Sequence, residues 1–346
     1  MQAYLLSAYP GTPTTLLWLR ESAEEDPFGR HRLVDDADQA DVILFAENHA
    51  HHDPYCLSVR RHPVYRRFPE KCFVYHDDDS AVAVLRGIYP SIRKRDYLVD
   101  RCRSAGYIAR VHENDAIRYD PAPRTRRWLY SFFGQANSAV RFSLLAGVHP
   151  DGLIRDTTGV QLWLMEPGLA RDRFTTTYAE AILDSQFVLC PAGCGPSSFR
   201  LFEAMEMGRV PVILSDDWVP PPGPQWDEFS VRVPECRAGE IAAILSNYSG
   251  RHEVMGQLAR RAWEQWFAKP VCFHRLIELC ADIQATPRRP YSTVRAWGTL
   301  FRSPHLKNCL RPYYRAMVKK LTLPWSRCET NKIAPRTDRT RSPRKC

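Results

Sequence analysis

The sequence contains no uninterrupted apolar run near the ~18 residues that a membrane-crossing helix needs. Glycine is sparse, 17 in 346 residues. The one Gly-rich turn, Pro191 to Ser198, has neither P-loop spacing nor the dinucleotide fingerprint. No two of the eleven cysteines stand in a C-x-x-C pair, and their odd number and irregular spacing argue against a disulfide framework. No basic segment precedes the short apolar run near the N-terminus, so no secretory signal is expected and a cytoplasmic location is. Acidic residues are scarce at the other end. Residues 286–346 hold 16 of the 48 Lys+Arg but two of the 39 Asp+Glu, which makes the tail the source of the net charge of +9 and leaves residues 1–285 net acidic.

What is present is ordinary for a globular protein, and the length accommodates two α/β domains. The chain is organised around Tyr178 to Pro222. Phe187–Cys190 and Val210–Leu214 are short apolar runs that read as buried strands. Between them lies the turn, with two Gly, two Pro and two Ser, then Phe199–Met207 with apolar residues at helical spacing, ending at Gly208. Strand, turn, helix and strand make a parallel βαβ unit.

The chemistry of this unit belongs at the turn. Ser197 or Ser198 can cap the helix, whose first N–H groups lack intrahelical partners and attract a diphosphate. Arg200 in the first helical turn can bind a phosphate oxygen, and the carboxylate of Glu203 can accept from two vicinal ribose hydroxyls. An ordinary surface i,i+3 pair of Arg200 with Glu203 is the competing reading.

The string SQFVLCPAGCGPSSFRLFEAMEMGRVPVILSDD resembles the exostosin family of glycosyltransferases, family 47: a small-residue loop after a strand, S-x-R-x-x-E-A, then G-x-x-P-V-I. Trp226, Asp227 and Phe229–Glu235 resemble the segment after that block. Arg127–Gly134 followed by Arg141 resembles an upstream strand–Gly–Arg element. The resemblance covers residues 124–250, about a third of the chain. It implies a GT-B fold, with two Rossmann-like domains facing each other across a cleft. It also implies a UDP-sugar donor, inversion at the anomeric carbon, and no required metal or other cofactor. The expected donor contacts are Gly134, Arg141, Gly193, Gly195, Ser197, Ser198, Arg200, Glu203 and Asp216, with a plain turn as the competing reading of Asp216 and Asp217 at the end of their strand. At Gly195, many retaining GT-B enzymes carry a Glu, and its replacement fits inversion.

Taken in order, residues 1–123 are expected to form an N-terminal acceptor domain, with strands at Tyr4–Ala8, Asp41–Ala46, Lys71–His76 and Tyr107–His112. Polar groups collect after two of these: Glu47, Asn48, His49, His51, His52 and Asp53, then His76, Asp77, Asp78 and Asp79. Three readings stay open: a general base for an acceptor hydroxyl, a metal site, or a solvated turn. Asp77, Asp78 and His76 are the favoured base candidates, with Arg200 as the catalytic cation. Residues 114–127 read as a linker. Residues 124–285 form the nucleotide-sugar domain, with strands at Trp128–Phe133, Leu162–Met165 and Phe229–Val233 and a helix from Tyr178. Gly134 leaves room for a phosphate or sugar to approach the backbone. The aromatics Trp263, Trp266 and Phe267 read as packing. Residues 286–346 form a partly disordered basic tail, in which Tyr313–Leu323 could bind an anionic leaflet.

The expected function is an inverting transfer of a sugar from a nucleotide-sugar, UDP-linked, to a glycan or lipid-linked acceptor, with peripheral membrane contact through the tail and no nucleic-acid partner. The alternatives are a metal-dependent enzyme built on Asp77–Asp79 and the histidines, and a non-catalytic basic-tail binding protein.

Overall fold

Short apolar runs that cannot alternate are strands covered on both faces, and both central sheets of this chain consist of such runs. The computed structural model describes residues 1–301, apart from 12–13, 48–52, 54, 80, 109–113, 123, 161, 163–164 and 300. The first sheet contains β1 (Gln2–Leu6), β2 (Arg32–Leu33), β3 (Val42–Glu47), β4 (Cys72–His76), β5 (Gly87–Ile88) and β6 (Cys102–Arg103), all parallel, in the order β2-β1-β3-β4-β5-β6. The second contains β7 (Trp128–Gly134), β8 (Gly152–Asp156), β9 (Ser185–Pro191), β10 (Val210–Leu214) and β11 (Val231–Arg232), also parallel, in the order β11-β10-β9-β7-β8. Every residue of β3, β4 and β10 is buried. Two parallel-sheet α/β lobes are the GT-B architecture that the resemblance implied.

Several local expectations are corrected. Tyr107 and Ile108 belong to no strand, and the sheet is completed by the two-residue strands β5 and β6, too short to leave a pattern in the sequence. The strand that follows β7 is Gly152–Asp156, and the expected Leu162–Met165 lies partly outside the described residues. The helix before β9 begins at Leu169, nine residues earlier than Tyr178. Trp226–Phe229 is a helical turn, which shortens the expected Phe229–Val233 strand to β11.

Helix Lys269–Ala285 returns to the first lobe, where Cys272, Phe273, Leu276 and Ile277 pack with Leu5, Leu44 and Phe73. Fully burying a side chain such as Phe273 contributes about 1.5–3 kcal/mol. A residue range of 124–285 for the second lobe is therefore too long at its C-terminal end. The apolar stripe of a helix does not say which of two sheets it covers. Helix Ser292–Thr299 likewise buries Ala296 in the first core, so the segment after 285 is not all tail. His49, His51, His52 and Tyr313–Leu323 lie outside the described residues. Among the described residues no helix is long and apolar enough to cross a membrane. Cys72 and Cys190 are buried free thiols among the strands, as expected for small core hydrophobes.

The lobes meet at their ligand-facing edges. Arg93 of the first donates to the Cys194 carbonyl at 3.0 Å and lies 3.5 Å from the Asp217 carboxylate of the second. Lys94 N–H donates to the Asp217 carbonyl at 2.8 Å. The Tyr107 ring lies 4.0 Å from Phe199, and Phe267 packs edge-on against Phe202 at 5.0 Å. The aromatics of helix His252–Trp266 and the residue after it thus serve packing, with Arg275 over the Trp266 ring at 4.0 Å.

Candidate functional site

The C-terminal ends of β7, β9 and β10 bring together residues far apart in sequence, as open parallel sheets do at their ligand-facing edge. β9 runs into the turn at Pro191. Helix Phe199–Glu206 leaves the turn, with Ser198 at its N-cap in extended conformation. The Ser198 side chain does not cap the helix; its hydroxyl lies 3.5 Å from the Arg200 guanidinium. Ser138, at the start of helix Ala139–Ala146, donates to the Ala192 carbonyl at 2.7 Å and so ties that helix to the turn.

Two guanidinium groups converge here. Arg200 donates to the Phe133 carbonyl and sits 4.8 Å from the centre of the Phe132 ring. Arg141 donates to the Pro191 carbonyl at 3.1 Å and lies 5.7 Å from the same ring. Arg141 is buried, and burial, then the charge of Arg200, pulls it down to about 10. Among the described residues no carboxylate lies within 4.0 Å of either group. Arg200 is partly accessible.

The glycines have different reasons to be there. A Cβ on Gly193 would fall 2.7 Å from the Arg141 guanidinium, so this glycine admits the cation into the turn. A Cβ on Gly134 would strike the Phe132 ring at 2.4 Å. The missing side chain there makes room for the aromatic platform; the expected open approach to the backbone is filled by that ring. A Cβ on Gly195 would lie 2.2 Å from Ser91 Oγ and 2.6 Å from Asp79 Oδ1 of the other lobe. Gly195 and Ser197 are therefore packed against the first lobe, with Ser197 beside Tyr107, while Gly193, Ser198 and Arg200 keep some exposure.

Glu203 is buried one helical turn beyond Arg200 and accepts from the Tyr178 hydroxyl at 2.5 Å. Asp216 is exposed. Its carboxylate accepts from Glu235 N–H at 3.4 Å while its own N–H donates to Glu235 at 3.1 Å, which is the turn reading of that residue. Its neighbour Asp217 faces Arg93.

Across the contact, Glu47 and His76 are register partners at the ends of β3 and β4. Glu47 is fully buried, accepts from Ser7 Oγ and Ala8 N at 2.7 Å each, and is raised by burial. His76 is buried beside Tyr89, its Nδ1 3.4 Å from Asp78 N. Asp79 accepts from Ser91 at 3.2 Å and Tyr107 at 3.3 Å, and burial raises it. Asp77 is pushed up to about 7, first by burial and then by Asp78 and Asp79. A carboxyl in that range is suited to proton transfer near neutrality. Among the described residues the group that could hold a metal ion is His31, His274 and Glu278, and Asp77–Asp79 are not in it. Tyr178, Ser91, Tyr107 and Arg93 carried no sequence signal, since each acts through a contact distant in sequence.

Residues 94–248 match the model of the Exostosin GT47 domain. That segment, a little under half of the chain, is similar to exostosin domains of family 47. A probable β-1,4-xylosyltransferase, IRX10, of Arabidopsis thaliana is 42% identical over 74 residues, 21% of this chain and 18% of the relative. A probable glucuronosyltransferase of Oryza sativa subsp. japonica is 31% identical over 113 residues, 32% of this chain and 26% of the relative. The matched stretches thus span about a fifth to a quarter of the length of these curated relatives. Among solved structures, Anabaena Alr3699/HepE in complex with UDP-glucose aligns over 81% of this chain and 99% of its own, at 10% identity and a TM-score of 0.40. The matched segment contains β7 to β11, and with them both arginines, the turn and Glu203.

Proposed function

We propose that the protein is an inverting glycosyltransferase that moves a sugar from a UDP-sugar to a hydroxyl of a glycan or glycolipid. The observation that carries this reading is the convergence of Arg141 and Arg200 on the Phe132 ring with no carboxylate within 4.0 Å among the described residues. Two adjacent cations with no carboxylate in contact among the described residues, beside a helix start, are suited to a diphosphate. Glu203, aligned by Tyr178, accepts from the ribose hydroxyls. The acceptor hydroxyl attacks the anomeric carbon from the face opposite the diphosphate, and Asp77 takes its proton. The C–O bond to the diphosphate breaks as the new C–O bond forms, and the charge that develops on the leaving phosphate is stabilised by the two arginines.

The experiment is transfer from UDP-sugars by Arg200→Ala, with UDP affinity measured by calorimetry. Loss of a donor to a developing oxyanion costs about 2.7–4 kcal/mol, or 10²–10³ in rate. A variant that folds, binds UDP as before and transfers at the wild-type rate removes the reading. Activity abolished by a chelator and restored by a divalent ion would instead favour a metal-dependent chemistry.

A further inference from the structure

The opposite edge of the second sheet carries a second pair of cations. Arg126 precedes β7, Gln186 stands near the start of β9, and Arg209 immediately precedes β10. A cavity of about 210 Å³ lies at this edge, and its lining includes Tyr119, Arg126, Gln186, Arg209, His252 and Gln257.

Arg209 is 6% exposed. Its Nη1 donates to the Gly208 carbonyl at 2.9 Å, and its buried Nε has no partner among the described residues. Arg126 donates to the Leu183 carbonyl at 2.9 Å. Neither has a carboxylate within 4.0 Å among the described residues, whereas neighbouring Arg124 is neutralised by Asp184 at 2.9 Å. Asp120 and Glu253 also line the cavity, beyond ion-pair range of both arginines. Burial, followed by the charge of Arg126, pulls Arg209 down to about 10. A buried guanidinium with no counter-charge in contact is costly to hold, and Asp120 acts on Arg209 only from a distance.

Two further features point to a negative ligand. The 15-residue helix His252–Trp266 begins at this cavity, and no side chain caps its N-terminus. The side-chain Oε1 of Gln186 accepts from Ser249 Oγ at 2.5 Å, which leaves its NH₂ as a donor. Two guanidinium groups with no carboxylate in contact among the described residues, a helix start and an amide donor suit an acceptor-only anionic group, against the more distant charges of Asp120 and Glu253.

We propose that this cavity binds a divalent oxyanion, sulfate or phosphate, either free or carried on a small metabolite. It lies at the strand edge away from the donor turn and does not depend on the transferase reading.

The test is thermal unfolding and calorimetry of the full chain with sodium sulfate, sodium phosphate or glucose 6-phosphate, against sodium chloride at matched ionic strength and against glucose. Sulfate and phosphate also stabilise proteins generally through surface exclusion, without saturating. The expected result is a saturable rise in Tm at millimolar oxyanion in the wild type that is lost in Arg209→Met, a change that removes charge while keeping bulk. Arg126→Gln weakens the affinity at least tenfold and carries the test should Arg209→Met not fold. A response to both inorganic salts supports a free ion as the ligand. A response confined to glucose 6-phosphate supports a metabolite-borne group. A wild type with no saturable response, or variants that respond as the wild type does, overturns the proposal.

Discussion

Replacing Asp77 by Asn tests a balance between stability and catalysis. Burial raises this carboxyl from its ordinary 3.8 to about 7. The folded protein therefore binds the proton more tightly than the unfolded chain, and stability falls as pH rises from about 4 through 7. At about 1.4 kcal/mol per tenfold difference, the penalty reaches at most about 1.6 kcal/mol at pH 5 and about 4 kcal/mol at pH 8. These are ceilings, because the side chain is only partly buried and solvent screens part of the cost. Asn cannot ionise, so the Asp77→Asn protein should melt above the wild type, and by more at pH 8 than at pH 5. At about 2–4 °C per kcal/mol, that difference amounts to several degrees. The same change should lower transfer about 10²–10⁴-fold while leaving UDP affinity intact, since Asn accepts no proton. Wild-type transfer should rise with pH through about 7, as the base ionises. A Tm difference that does not change with pH would refute the burial argument; an active variant would refute the base.

Glu203→Ala should weaken UDP binding, and Tyr178→Phe should weaken it less, because it removes only the hydroxyl that orients the carboxylate; calorimetry with UDP ranks them, and equal, unchanged affinities would exclude the ribose role. Gly195→Ala places a methyl group 2.2 Å from Ser91 Oγ and 2.6 Å from Asp79 Oδ1, so it should force the lobes apart and raise KM for both substrates. Ser91→Gly in the same chain should recover part of that loss, and no recovery would place the defect elsewhere.

The sheets were legible where burial leaves a mark on composition. Residues 42–46 and Val210–Leu214 are apolar because both faces of the sheet are covered, and the run itself reveals this. β5 and β6 are two residues long and leave no such mark. Helix Lys269–Ala285 crosses from one lobe to the other, a tertiary choice that amphipathicity does not encode. At the site, local spacing pointed to Arg200 and Glu203, but not to what holds them. The Phe133 carbonyl, the Phe132 ring and Tyr178 come from other elements. Gly134 was misread for the same reason. A glycine in a strand states only that something approaches closely, and here it is the ring two residues away on the same face.

Asp79 bears on how the proposed donor site would work. Among the groups acting on Arg141 it is the first that favours the charged guanidinium, and it belongs to the other lobe. Its carboxylate already bears the cost of burial, offset in part by the hydroxyls of Ser91 and Tyr107. A diphosphate arriving at Arg141 and Arg200 brings negative charge to the same cations and competes with Asp79 for them. Two responses are open to the protein: Asp79 takes up a proton, or the contact of Asp79 and Ser91 with Gly195 loosens and the lobes separate at the turn. Both make donor affinity depend on the first lobe, although every expected donor contact lies in the second. On the proposed reading, residues 94–248 without residues 1–93 would thus lose more than an acceptor side, because the charge of Asp79 that acts on Arg141 would go as well.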